Sequence, residues 1–305
     1  MKPRLVWLLL CCIWGSTWLF IKLGLEDLPP FTFAGIRFLI AVSILFVIII
    51  IRRQPFPRER RHWLLLVISG VLAFCVNYGL VFWGEQYISS GLAALLQATI
   101  PAFGLVIAHF YLPSERLTPA RVVGVVLGVV GVAVVFSNQL DVAGLQALAG
   151  CAALVVSAVG AAYSNVLVKT YGKDLDPAIL AGGQMFFGVI PLLLIGITFE
   201  GNPLKLHWTP MAVAALLYLA IVGSVVAFLL YYWLVQHMDV TNTMLIALIT
   251  PVAAVVLGMI VLNEELHWRT LLGGLMIISG IAIIVKRHRR RKAAGVSPLE
   301  EGRLK

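Results

Sequence analysis

Ten apolar stretches of spanning length, separated by short polar breaks, constrain this chain more than anything else in it. A membrane-crossing helix needs about 20 mostly apolar residues. On that rule helices are expected over 5–25, 31–51, 63–84, 88–112, 118–137, 146–169, 178–199, 210–235, 240–262 and 268–286. Only 12% of the 305 residues are charged, against 61% hydrophobic. A soluble domain carries about a quarter charged residues to cover its surface. The sequence therefore reads as an all-α integral membrane protein, with connections too short for an extramembrane domain.

The net charge of +9 belongs to basic loops that set orientation and meet membrane lipids. No charged face is large enough to track a phosphate backbone, so nucleic acid is not an expected partner. One side of the membrane receives Lys2, Arg4, the cluster Arg52 to Arg61, Arg116, Arg121, Lys169, Lys173 and the run Lys286 to Arg291. The other receives Lys22, Lys205 and Arg269. This bias places both termini in the cytoplasm, which requires an even number of spans. The N-terminal run resembles a signal peptide but lacks a small-x-small cleavage site, and reads as a retained first helix. Cys11, Cys12, Cys75 and Cys151 fall inside apolar runs without metal spacing and read as small buried residues. No metal, cofactor or catalytic group is expected.

The stretch from Ser89 to Phe136 returns near the C-terminus. Gly91-Leu-Ala-Ala-Leu-Leu leads to Pro101, then to a break at Glu115 and the glycine-spaced run Gly124, Gly128 and Gly131. In the second copy Pro251 leads to Glu264 and then to Gly273, Gly274 and Gly280. Lys22 and Lys169, Pro30 and Pro177, and Arg37 and Gln184 recur at matching places. Self-similarity over such a period marks a duplicated unit. With five helices in each half, an odd number, the halves enter the membrane from opposite sides as inverted repeats. The expected units are 1–138 and 139–287, followed by a basic and polar cytoplasmic tail over 288–305, with disorder expected beyond Lys286.

Polar groups at membrane depth are unfavourable unless paired or wetted, so they face the bundle interior. The candidate solute cavity is Trp14, Trp18, Asn77, Tyr78, Gln97, Pro101, Tyr163, Asn165, Gln184, Tyr232, Thr250 and Pro251. Interhelical hydrogen bonding and interfacial aromatic belts compete for the polar and aromatic members, and ordinary kinks for the two prolines. Trp83, Tyr231, Trp233, Trp208 and Trp268 lie near span ends, where belts claim them. Glu85 is the deepest carboxylate and sits close to an outer end, so no acid marks a central cation site. That composition favours a neutral or zwitterionic small-molecule substrate. Arg37 could meet a substrate carboxylate, or snorkel to the outer surface.

These motifs resemble the EamA family of the drug/metabolite transporter superfamily. The likeness rests on Trp14-Gly-Ser-Thr-Trp-Leu-Phe-Ile-Lys22, Pro30 with Arg37-Phe38, Gly91 to Pro101, Glu115, the glycine runs, Pro251 and Glu264. The resemblance implies ten helices in two inverted five-helix repeats, with helices one to four and six to nine around a central cavity. It also implies export of amino acids or similar metabolites across a bacterial inner membrane by alternating access. A sugar-phosphate or nucleotide-sugar exchanger would use Lys22, Lys169 and Arg37 against phosphate, but these cations sit near span ends. An intramembrane enzyme would need a nucleophile with a base or a metal set, and the chain offers neither. A receptor or assembly factor would not need the duplication.

Overall fold

The computed structural model describes residues 2–112, 118–142, 144–237 and 246–293, which are helical with no strand among them. We label the helices α1 (Pro3–Gly24), α2 (Pro30–Ile51), α3 (Arg60–Glu85), α4 (Ser90–Tyr111), α5 (Pro119–Val142), α6 (Gly144–Tyr171) and α7 (Pro177–Phe199). Next, α8 runs through Pro210–Leu217, Tyr218–Val226 and Ala227–His237; α9 is Ile246–Val261 and α10 is Trp268–Ala293. Of these, α1 to α8 are long and apolar enough to cross a membrane. The α9 helix and the Trp268–Ile284 part of α10 are apolar but shorter. Proline opens α1, α2, α5, α7 and α8, where its missing N–H has no intrahelical role. Ser89, Asp176 and Thr209 cap α4, α7 and α8 through their side-chain oxygens.

Three features depart from the expected helices. The last helix continues past Lys286 to Ala293 instead of ending in an irregular tail. The fourth breaks between Gln97 and Ile100, with Pro101 in the first turn of the second piece. Pro251 instead lies inside an uninterrupted α9, as Pro191 does inside α7. Finally, α3 and α8 each widen into a π-helical stretch, Val71–Asn77 and Tyr218–Val226, beginning 147 positions apart. Such stretches are uncommon and concentrate at functional sites.

Helices approach closely wherever glycine lines the contact. A Cβ on Gly124 would lie 2.7 Å from the Gly280 carbonyl oxygen, and one on Gly131 2.6 Å from that of Gly273. The glycine-spaced runs thus form the α5–α10 contact, where Gly128 is also buried but a Cβ on it would meet no heavy atom within 4 Å. Gly84 of α3 and Gly150 of α6 meet in the same reciprocal way, and Gly70 of α3 lies on the Gln184 backbone of α7. The largest core cluster, including Phe33, Phe38, Phe74, Phe82, Met185 and Leu219, joins α2, α3, α7 and α8. Large apolar side chains such as Ile51, Phe110, Leu194 and Ile260 point outward, as a lipid-facing surface allows.

Candidate functional site

Each of the two π stretches carries a polar contact to other helices. Asn77 ends the α3 stretch, and its Oδ1 accepts from Gln97 Nε2 of α4 at 3.2 Å. Gln97 also donates to Ser157 Oγ of α6, and Ser157 donates to the Leu154 carbonyl oxygen at 2.7 Å. Three helices are therefore joined by one small amide–hydroxyl cluster, with Asn77 and Gln97 each 8% exposed. Tyr218 opens the α8 stretch. Its hydroxyl lies 2.6 Å from Ser16 Oγ of α1, and its ring stacks on Phe20 at 4.0 Å. Ser224 of the same stretch accepts from Arg37 Nε at 3.3 Å.

Arg37 does not snorkel. It is 3% exposed, and its guanidinium carbon lies 4.8 Å from the Phe38 ring centroid, 5.4 Å from Tyr78 and 5.8 Å from Phe82. The aromatic faces attract the cation and a planar guanidinium stacks on them well, which holds the head inward. Among the described residues its Nη1 has no hydrogen-bond partner. A buried donor without a partner is unfavourable unless another molecule supplies the acceptor.

The other candidates do not converge on this cluster. Trp18 packs between two core clusters, one shared with Tyr78 and one built largely from α4 and α6. Trp14 lies apart, its ring 5.4 Å from Tyr231 and 6.4 Å from Phe228 of α8. Tyr231 is therefore an interior contact as well as a span-end aromatic. Tyr163 meets Tyr111 hydroxyl to hydroxyl at 2.6 Å, at the edge of a groove of about 610 Å³ lined also by Leu72, Val76 and Val156. Ser164 is buried and donates to the Ser69 carbonyl oxygen, whereas Asn165 is exposed. Gln184 reaches Ser164 at 3.4 Å. Thr250 bonds back to the Ile246 carbonyl oxygen, Pro251 is buried and Pro101 is half-buried. The side chain of Tyr232 lies outside the described residues, as does Glu115.

Ser157 and Ser224 escaped the sequence reading because a serine in an apolar run also suits plain helix packing. Replacing Gln97 by leucine should leave Asn77 Oδ1 without its donor. We expect a loss of about 1–3 kcal/mol, read as a lowered unfolding midpoint in detergent.

The end of the molecule holding Lys22 is tied by charged side chains at helix ends. Lys22 Nζ donates to the carbonyl oxygens of Glu85 at 2.7 Å, Ile88 at 2.8 Å and Gln86 at 3.4 Å, where α3 ends. Glu200, just past α7, accepts from Phe31 and Thr32 backbone N–H at 2.9 and 2.7 Å, at the start of α2. Glu264 does the same for α4, accepting from Ser90 N at 2.7 Å, Ser90 Oγ at 3.1 Å and Gly91 N at 3.3 Å. Each charge has the sign its helix end favours. Asn263 takes a positive φ of 53° to turn the chain after α9, and Gly258 leaves room for the Glu264 carboxylate.

The family model described as "EamA-like transporter family" matches residues 2–137 and 148–286. A Bacillus subtilis protein named uncharacterized transporter YoaV is 29% identical over 92% of this chain and 95% of its own. An uncharacterized transporter of Archaeoglobus fulgidus is 30% identical over 94% of this chain and 100% of its own. The Escherichia coli K12 protein named uncharacterized inner membrane transporter YedA is 28% identical over 81% and 78%. A solved crystal structure superposes with a TM-score of 0.65 at 20% identity, covering 95% of this chain and 98% of that one.

Proposed function

The chain belongs to the EamA-like transporter family, and from that premise we propose that this multi-pass membrane transporter exports amino acids or similar neutral or zwitterionic metabolites. It works by alternating access, with two inverted five-helix halves, 1–138 and 139–287, enclosing one solute path. The matched π stretches in α3 and α8 support that division, since they recur at the spacing that separates Pro30 from Pro177. The glycine contacts between α5 and α10, the last helix of each half, support it as well. The Lys and Arg bias favours both termini cytoplasmic and the Lys22 end outside, and the relative named as an inner membrane transporter favours that membrane.

The observation that carries the solute class is the chemistry around the π stretches. Asn77 and Gln97 offer amides, Trp18 and Tyr78 offer rings, and Arg37 holds one unpaired donor beside them. A solute carboxylate would complete Arg37, while the uncharged remainder suits a small polar or apolar side chain. A phosphate exchanger is less favoured because Lys22 already binds three carbonyl oxygens.

The test is uptake of a labelled amino-acid panel by purified protein in liposomes. Trp18→Ala and Tyr78→Ala should each lower flux by about tenfold or more, equivalent to about 1.4 kcal/mol of lost solute interaction. Both should still reach the membrane. Unchanged flux in both would remove this site.

A further inference from the structure

Glu85 is the carboxylate that the reading above leaves unused. It closes α3, is 0% exposed, and has no hydrogen-bond partner on either oxygen among the described residues. Three charged groups surround it: Lys22 from α1, Arg37 from α2 and Glu264 from the segment after α9. On α6, Gly150 and Leu154 pack against the neighbouring Gly84 and bring no charge.

None of these groups is placed to hold a carboxylate anion. An ammonium has three donors, and Lys22 directs its own to the carbonyl oxygens of Glu85, Gln86 and Ile88. Glu264 is itself an anion, occupied by Ser90 and Gly91. Arg37 directs Nε to Ser224, and no ion pair joins it to Glu85 among the described residues. Lys22 and Glu264 offset each other, and Arg37, the remaining cation, gives Glu85 no hydrogen bond. An ionised carboxylate would lie buried in this seam with no donor on either oxygen among the described residues. A neutral carboxyl fits that seam far better than an anion does.

We propose that Glu85 is a proton-binding site of the gate at the Lys22 end, and that the gate closes only over the neutral carboxyl. When the ends of α1, α3 and α4 part, water reaches Glu85 and takes its proton. When a proton returns from the water on that side, the seam can close again. Proton uptake and release use the same aqueous compartment, so the proton sets the gate and is not carried across. This gate rests on the transporter reading above, but its test needs no solute, so a failed search for a solute leaves it standing.

The experiment uses the full chain in lipid nanodiscs at a series of pH values. Infrared difference spectra report the neutral-carboxyl band, and hydrogen exchange, corrected for its intrinsic pH dependence, reports protection of the amides from Gln86 to Leu92. In the native protein both signals should fall together as pH rises. Glu85→Gln, a fixed neutral mimic, should lack the band and hold its protection throughout. Glu85→Asp, which keeps a titratable group, should restore the pH response. The proposal is overturned if the native closed state shows an ionised Glu85. It is equally overturned if Glu85→Gln loses protection with the same pH profile as the native protein.

Discussion

Gly124→Leu and Gly131→Leu should each lose the monodisperse folded protein in detergent, while Gly128→Leu should retain it. All three glycines sit in the same helix, so composition and helix propensity change alike. What differs is what a side chain would meet. At Gly124 and Gly131 the first obstacle is a backbone carbonyl of α10, at 2.7 and 2.6 Å, which cannot turn aside as a flexible side chain can. At Gly128 nothing lies within 4 Å. Overpacking a close contact typically costs about 1–3 kcal/mol, and a rigid backbone obstacle puts leucine at or beyond the upper end. Gly128 is buried as well, but its Cβ position is unobstructed, so leucine there should cost the least of the three. Size-exclusion profiles after a thermal challenge would separate these outcomes. Equal behaviour of all three variants would refute the α5–α10 contact.

Arg37→Met should abolish transport while leaving the protein at least as stable as before. The two effects have opposite signs, and that separates a solute contact from a structural one. A structural arginine would have its donors satisfied, so its removal would leave buried acceptors stranded. Among the described residues, Arg37 makes the 3.3 Å bond to Ser224 and ring contacts to Phe38, Tyr78 and Phe82, and its Nη1 has no hydrogen-bond partner. Ser224 also keeps its own bond to the Leu219 carbonyl oxygen at 2.9 Å. Exchanging a buried charge that has no ion-pair partner for an apolar side chain of similar size removes the desolvation penalty that the charge carries. The unfolding midpoint should therefore hold or rise, while flux falls more than about tenfold, or about 1.4 kcal/mol. A lowered midpoint with flux retained would assign Arg37 to the scaffold instead.

The helices were legible because long apolar runs between short charged breaks admit few alternatives in lipid, and proline marked several of their starts. Which face each polar residue takes was less legible. Arg37 sits eight positions into α2, and only the placement of Phe38, Tyr78 and Phe82 decides that its head turns inward. Tyr163, Ser164 and Asn165 are adjacent in sequence, yet a helix sends neighbours to different sides: one to Tyr111, one into the core and one outward. Pro101 and Pro251 look equivalent along the chain, but only α4 breaks, between Gln97 and Ile100. Glu85 showed its depth in the sequence, but its lack of partners depends on how Lys22 and Glu264 are already occupied. Those are contacts between distant segments, and no local pattern encodes them.

The α5–α10 contact also bears on biosynthesis. About 130 residues separate the end of α5 from the start of α10. At roughly 5–20 residues per second of translation, α5 waits on the order of 6 to 25 seconds for the surface it is shaped to fit. In that interval its glycine face has only acyl chains, or another newly made helix, against it. A ribosome stalled before α10 would hold that face unmatched, open to pairing with a second nascent chain.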